Sequence, residues 1–206
     1  MHPLVLASAS PARLGLLRAS GLDPQVVVSE VDEDAVESRA RQQDPRLSPA
    51  GLAQVLAEAK GAAVRDRLAG DHRLVLACDS VLEFDGAVHG KPGTVELARR
   101  RWQEVRGRTG TLHTGHWIVD PVSGRTAGAP AQATVHFADV TDAELEGYLA
   151  TGEPLHVAGG FTLDGLGAPF VDSIEGHPST VVGLCLPLLR QLLIDLDVAW
   201  WDIASA

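Results

Sequence analysis

Apolar and polar positions along this chain fall into blocks that alternate between strand-like and helix-like periods. Leu4, Val5, Leu6 and Ala7 form a short apolar run that stops at Ser8 and Ser10. Pro11 then opens a helical pattern with Ser10 as N-cap and Leu14 and Leu17 facing inward. A short strand follows at Gln25 to Val28, and the polar stretch from Glu37 to Ser48 reads as a surface connection. Ser48 caps a long helix that starts at Pro49 and repeats Leu52, Val55, Leu56, Ala59 and Ala63 at helical spacing. The continuous apolar run Leu74 to Cys78 has the character of a central strand and ends at Asp79 and Ser80.

The second half of the chain has the same grammar. Val81 to Val88, with Asp85 and Gly86 at its centre, reads as a hairpin. Thr94 caps a helix with Val95, Ala98, Trp102 and Val105 inward. Thr111 to Asp120 and Arg125 to Phe137 read as two antiparallel strands joined through residues 121–124. Thr141 and Glu144 form a capping box ahead of Leu145, Tyr148 and Leu149. A glycine-rich segment runs from Gly152 to Gly167, and a terminal helix carries Leu189, Leu192, Leu193 and Leu196 on one face. Strands alternating with helices, plus one hairpin excursion, predict a mixed α/β sheet with flanking helices in a single domain over residues 1–206.

Composition narrows the function classes. Of 206 residues 45% are hydrophobic and 21% charged, and no apolar run reaches membrane-spanning length, so a soluble protein is expected. No basic stretch precedes an apolar core at the N-terminus, so the default location is the cytoplasm. The net charge of −10 opposes binding to a nucleic-acid backbone, and Arg99, Arg100, Arg101, Arg106 and Arg108 spread around a helix rather than forming a stripe. Cys78 and Cys185 cannot build a disulfide framework and read as buried thiols.

Candidate chemistry begins at the first turn. The first N–H groups of a helix lack partners within it, and the helix dipole adds positive charge there, so phosphate is a natural guest. Ser8 and Ser10 can contribute hydroxyls and Arg13 a guanidinium; the plain alternative is a helix cap with a solvated arginine. Asp79, after the most apolar strand, is the best candidate for a catalytic carboxylate, against a turn-forming role. Glu33 lies in the acidic run Ser29 to Asp34 and could share a hard cation such as magnesium with Asp79. Lys60, at the edge of an apolar stripe, and Lys91, in a Gly-Lys-Pro loop, are either phosphate clamps or surface lysines. The chain has no Gly-x-x-x-x-Gly-Lys-Ser/Thr loop, no Gly-x-Ser-x-Gly elbow and no His-Glu-x-x-His pair, and its eight histidines are scattered.

In order along the chain, residues 6–13, 29–33, 57–60, 77–80, 90–92, 148–154 and 181–184 resemble the Maf family of nucleoside triphosphate pyrophosphatases, also called septum-formation inhibitor proteins. The resemblance covers nearly the whole chain. It implies a mixed, curved α/β sheet with two lobes around a central cleft, similar to the inosine triphosphate pyrophosphatases. It also implies attack of water on the α-phosphorus of a nucleoside triphosphate, giving monophosphate and pyrophosphate in a role that cleanses the nucleotide pool. Asp79 would be the proton acceptor, Glu33 would share a divalent cation with it, and Lys60 and Lys91 would assist. Ser8, Ser10 and Arg13 would hold the triphosphate. Magnesium is the expected cation, with manganese as the alternative, and a homodimer is expected by family analogy.

The specificity positions depart from that pattern. Relatives acting on dTTP and UTP usually carry Arg, Thr and Gln where this chain has Ala12, Ser80 and Asp164, and a group acting on 7-methyl-GTP has Trp at the first. Residues 155–161 resemble the second group slightly more, and the base is left unassigned. The competing class is a regulator of cell division that binds nucleotide without turnover; the presence of Asp79, Glu33, Lys60 and Lys91 favours the enzyme.

Overall fold

A computed structural model describes residues 4–68 and 70–204. The outermost residues of the expected 1–206 domain lie outside that range. The strands are β1 (Leu4–Leu6), β2 (Gln25–Val26), β3 (Leu74–Phe84), β4 (Ala87–His89), β5 (Thr109–Val119), β6 (Thr126–Phe137) and β7 (Val171–Glu175). The helices are α1 (Pro11–Ala19), α2 (Glu33–Gln43), α3 (Pro49–Arg67), α4 (Val95–Val105), α5 (Asp142–Ala150), α6 (Pro178–Val182), α7 (Leu186–Asp195) and α8 (Trp200–Ile203). All seven strands join one mixed sheet in the order β2-β1-β3-β5-β6-β7, with β4 also on β3. The expected mixed α/β sheet is present.

Strand β3 organises the sheet. One edge pairs with β5 from Val75 to Glu83. The other edge is shared: β1 runs parallel to Leu74, Val75 and Leu76, while β4 runs antiparallel to Leu82, Glu83 and Phe84. Residues 77–81 therefore have no register partner on that edge among the described residues. The chain turns away at Ala7 on one side of this gap and at Gly90 on the other.

Side chains alternate between the two faces of a strand, so even-numbered β3 residues share one face. Leu74, Leu76 and Cys78 lie in one core with Leu17 of α1 and Leu189, Leu192 and Leu193 of α7. Leu82 and Phe84 lie in a second core with Trp102 of α4 and Leu145, Tyr148 and Leu149 of α5. Between the two cores, at Ser80 of β3 and at Thr114 and His116 of β5, the face turns polar, although Thr114 and His116 are fully buried. The opposite face carries Val75, Ala77 and Val81 beneath α3.

Helix α3 lies unusually close to the sheet. A β-carbon on Gly115, opposite Asp79 in the β3–β5 ladder, would come within 2.2 Å of the Ala53 carbonyl oxygen, and one on Gly61 within 2.2 Å of the Trp117 ring. Gln54 adds a bidentate link: its Oε1 accepts from the His116 N–H at 3.1 Å and its Nε2 donates to the His116 carbonyl at 2.9 Å.

Four expectations need correction. Residues 37–43 are not a surface connection; they belong to α2, which Asp32 starts by accepting from the Ala35 N–H at 3.0 Å. Ala40 is buried, but with so few apolar positions the helical period was hidden. Asp79 does not close a strand, because β3 continues to Phe84 and only turns at Asp85 and Gly86, both at positive φ as a two-residue hairpin requires. The strand expected at Gln25 to Val28 is confined to Gln25–Val26. The leucine-rich helix is not the last element, since α8 follows it. The N-caps at Ser10, Ser48 and Thr94, the 141–144 capping box and the β5–β6 hairpin stand as expected.

Gly115→Ala should destabilise the protein by about 3 kcal/mol or prevent folding, because the obstacle is backbone rather than a movable side chain. Gly147→Ala, on α5 with nothing within 4 Å of its would-be β-carbon, should be neutral or stabilising by up to about 1 kcal/mol. Chemical denaturation of the two variants checks both.

Candidate active site

Asp79 and Ser80 are consecutive in the open stretch of β3, so their side chains leave opposite faces of the sheet. On the α3 face, Lys60 carries its ammonium to Asp79. Lys60 is only 7% exposed, its methylene stem sheltered within the helix–sheet packing, and Asp79 is 6% exposed. Lys60 Nζ bonds Asp79 Oδ1 and also Glu33 Oε1, the latter at 2.9 Å. Glu33 is the first residue of α2, where a carboxylate complements the helix dipole. It remains partly exposed, with 44% of its side-chain surface accessible. Burial pushes the Asp79 carboxyl above its ordinary range, and nearby Glu33 pushes the same way, against the opposing pull of Lys60 and Arg13.

On the other face sits Arg13. Ser10 caps α1 by accepting from the Arg13 N–H at 3.3 Å, and the guanidinium turns back over the turn. Its Nε donates to the Gly183 carbonyl at 2.7 Å, Nη1 to Ser8 Oγ at 3.1 Å and Nη2 to Ser80 Oγ at 3.1 Å. Ser8 also accepts from the Ser10 N–H at 3.2 Å. Ala12, beside Arg13 on the first turn of α1, is half-buried and its methyl offers no polar group to this cluster.

Lys91 follows β4 where the chain leaves the ladder. It is exposed and makes no hydrogen bond or ion pair with a described residue. Its loop is nonetheless held. The Gly90 carbonyl accepts from Arg101 Nη1 at 2.8 Å and from the Gly159 N–H at 3.3 Å, and the Gly93 N–H donates to Leu155 at 3.0 Å. Arg101 is thus a structural donor rather than one of a solvated row. The structure brings Asp79, Lys60 and Glu33 into one contact set and Ser8, Ser10, Arg13 and Ser80 into another. Lys91 joins neither set.

Asp164 is exposed on the glycine-rich segment and joins neither set. That segment is ordered by Glu153, whose carboxylate accepts from Tyr148 at 2.9 Å, Thr162 at 2.6 Å and the N–H groups of Leu166 and Gly167 at 3.0 and 3.1 Å. Burial works against ionisation of Glu153, yet these donors outweigh it and hold its carboxyl below the usual range.

Sequence reasoning overlooked Thr114, His116, Thr180, Gly183 and Glu153. The Cys185 N–H donates to His116 Nε2 at 2.8 Å, and Thr114 Oγ1 donates to the Thr180 carbonyl at 2.9 Å. A signal existed for the β5 pair: Thr114 and His116 interrupt an alternation whose same-face neighbours, Leu112 and Ile118, are apolar core. Burial, reinforced by the Arg13 charge, pushes His116 down to about 4, so at neutral pH the ring is uncharged and Nε2 is free to accept. Burial likewise pushes the Cys78 thiol up to about 12, which makes it inert.

Among the described residues no group of three or more His, Cys, Asp or Glu side chains could hold a metal ion by itself. Asp79 and Glu33 supply two carboxylates.

A family model described as "Maf-like protein" matches residues 3–196. The chain belongs to the Maf-like protein family. A protein of Leifsonia xyli named nucleoside triphosphate pyrophosphatase is 52% identical to it over 205 residues, covering 97% of this chain and 95% of the relative. A Salinispora tropica protein of the same name is 55% identical over 198 residues, covering 95% of this Maf-like chain and 84% of the relative. A solved dITP/XTP pyrophosphatase from Mycobacterium abscessus covers 95% of this chain and is itself covered to 97%, at 13% identity and a TM-score of 0.39, a likeness that carries no argument.

The buried His116 makes a signed prediction for this Maf-like protein. Its folded value near 4 lies below the ordinary 6.5, so between these pH values the unfolded chain binds more protons and stability falls as pH is lowered. In His116→Gln, melting temperatures recorded from pH 7 to 4 should fall less steeply than in the wild type.

Proposed function

We propose that this Maf-like protein is a nucleoside triphosphate pyrophosphatase, and that residues 77–81 of β3 form the floor of its triphosphate site. One observation carries this reading. Arg13 with its serine turn reaches Ser80 on one face of β3, and Lys60 with Glu33 reaches Asp79 on the other, both within the stretch between the β1 and β4 pairings, and the Lys91 loop follows β4. A polyphosphate bearing about four negative charges needs cations of this kind before it can approach two carboxylates.

The chemistry assigned to each residue follows. Ser8, Ser10 and Arg13 bind phosphate oxygens at the α1 turn, and Lys91 closes on the chain from the opposite side. Lys60 holds Asp79 Oδ1, so Oδ2, which has no described hydrogen-bond partner, is the atom that takes a proton from the attacking water. The water oxygen bonds to the α-phosphorus, the bond from that phosphorus to the bridging oxygen breaks, and pyrophosphate leaves with the bond's electron pair. A raised proton affinity suits a general base. Lys60 keeps two carboxylates together that would otherwise repel.

Magnesium suits this donor set, because it commonly binds through one or two carboxylates and takes its other ligands from water and substrate phosphates. Glu33 and Asp79 would hold it, and it would neutralise charge on the phosphates; manganese has the same preference for oxygen. The nucleoside triphosphate is the proposed partner, and the names of the Leifsonia and Salinispora relatives support that class. No helix of the described residues is long and apolar enough to cross a membrane. A role in cleansing nucleotide pools and a homodimer rest on the family resemblance.

Asp79→Asn should reduce pyrophosphate release by about 10²-fold or more, the usual contribution of a general base, while the melting transition stays cooperative. Near-normal turnover in the variant removes the assignment.

A further inference from the structure

The hydrogen bonds around Arg13 form a closed circuit whose direction can be deduced. A carbonyl oxygen only accepts, so Thr114 must donate its single hydroxyl proton to the Thr180 carbonyl, at 2.9 Å. At the 2.8 Å contact between Ser80 Oγ and Thr114 Oγ1, Thr114 therefore accepts and Ser80 donates. Ser80 in turn accepts from Arg13 Nη2. The Thr180 carbonyl also accepts from the Gly183 N–H at 3.1 Å, and the Gly183 carbonyl accepts from Arg13 Nε at 2.7 Å. Both arms thus run from Arg13, one through Ser80 and Thr114 and the other through Gly183, and they converge on the Thr180 carbonyl.

Two consequences follow. The guanidinium has five N–H groups; Nε–H and one N–H on each Nη are engaged by Gly183, Ser8 and Ser80, which leaves one N–H on each Nη unassigned. A guanidinium with a donor left on each Nη is of the kind that grips phosphate or carboxylate. Ser80 has already used its only proton on Thr114, so it meets any ligand as an acceptor alone. The far end of the network is well packed, since Thr114 is 0% and Thr180 1% exposed. The Ser80 and Thr114 hydroxyls and the Thr180 carbonyl are each satisfied within it, which resists rearrangement.

We propose that Ser80 and Thr114 are positioning residues that hold Arg13 as a preset two-donor phosphate fork. This rests on the triphosphate reading of the site. Ser80 on this account sets the affinity for the phosphate chain and does not read the base, although it occupies a position where relatives vary with substrate.

The test uses the full chain and three variants, with inorganic tripolyphosphate binding measured by calorimetry and turnover measured on one purine and one pyrimidine triphosphate. Thr114→Val should weaken tripolyphosphate binding and raise KM by about tenfold while kcat changes less than about threefold, the signature of lost binding shared by ground and transition states. Thr114→Ser should restore both to near wild type. Ser80→Ala, which leaves the Thr114 bond to Thr180 intact, should raise KM by the same factor for both bases, and serves if Thr114→Val does not fold. A KM unchanged in Ser80→Ala or in folded Thr114→Val, with normal wild-type turnover, overturns this inference alone, as does a base-dependent effect of Ser80→Ala. A wild-type protein that neither binds tripolyphosphate nor hydrolyses any nucleoside triphosphate overturns it together with the proposed function.

Discussion

The architecture depends on one constraint in the sheet: β3 has a single edge shared by two strands that do not meet. β1 stops at Leu6 and β4 begins its pairing at Leu82, so the backbone between them would be an exposed sheet edge in a bare scaffold. Unpaired edges invite pairing with other chains, and charged residues are among the devices that prevent it. Here the unpaired stretch includes Asp79 and Ser80, which meet charge on both faces, Lys60 on one and Arg13 on the other. On the proposed reading, this edge is where the polyphosphate lies.

Burial makes the charges there consequential. Taking Asp79 and Lys60 out of water costs several kcal/mol per ion, which a single contact in the interior does not reliably offset. The pair is therefore poor evidence for stability and better understood as preorganisation. Lys60 fixes one carboxylate oxygen and draws Glu33 to the same point, and the raised proton affinity of Asp79 follows from the same burial. The close approach of α3 at Gly61 and Gly115 is what allows an ammonium on a helix to reach a carboxylate on the strand beneath it. On the other face the seam of Ser80, Thr114 and His116 divides two apolar cores and ties the chain from Thr180 to Cys185 to the sheet. The proposed general base and a structural polar group thus occupy successive positions of one strand.

Much of the fold was legible because its signals are local. Ser48 with Pro49, Thr94, the 141–144 capping box and the Asp85-Gly86 turn each encode a boundary in a few residues. The α2 helix was missed because charged and amide side chains cover most of it, so a cap at Asp32 was its main mark. Asp79 was chosen on the premise that it ends a strand; the strand in fact runs on, and what sets Asp79 apart is a partner missing from one edge, a property of topology that no local pattern records. The structure places Lys60 against Glu33 and Asp79, and Arg13 against Ser8. The part played by Thr180 was out of reach for the opposite reason, since its carbonyl meets Thr114 only across a separation of 66 residues. Asp164, singled out by resemblance, touches neither contact set.

The central claim is that Asp79 directs water to the α-phosphorus of a nucleoside triphosphate lying along this gap. Hydrolysis in water labelled with heavy oxygen, with mass spectrometry of both products, tests it most directly. The account predicts that the label appears in the nucleoside monophosphate and that the pyrophosphate is unlabelled. Label in the pyrophosphate, or release of orthophosphate as the primary product, would contradict it.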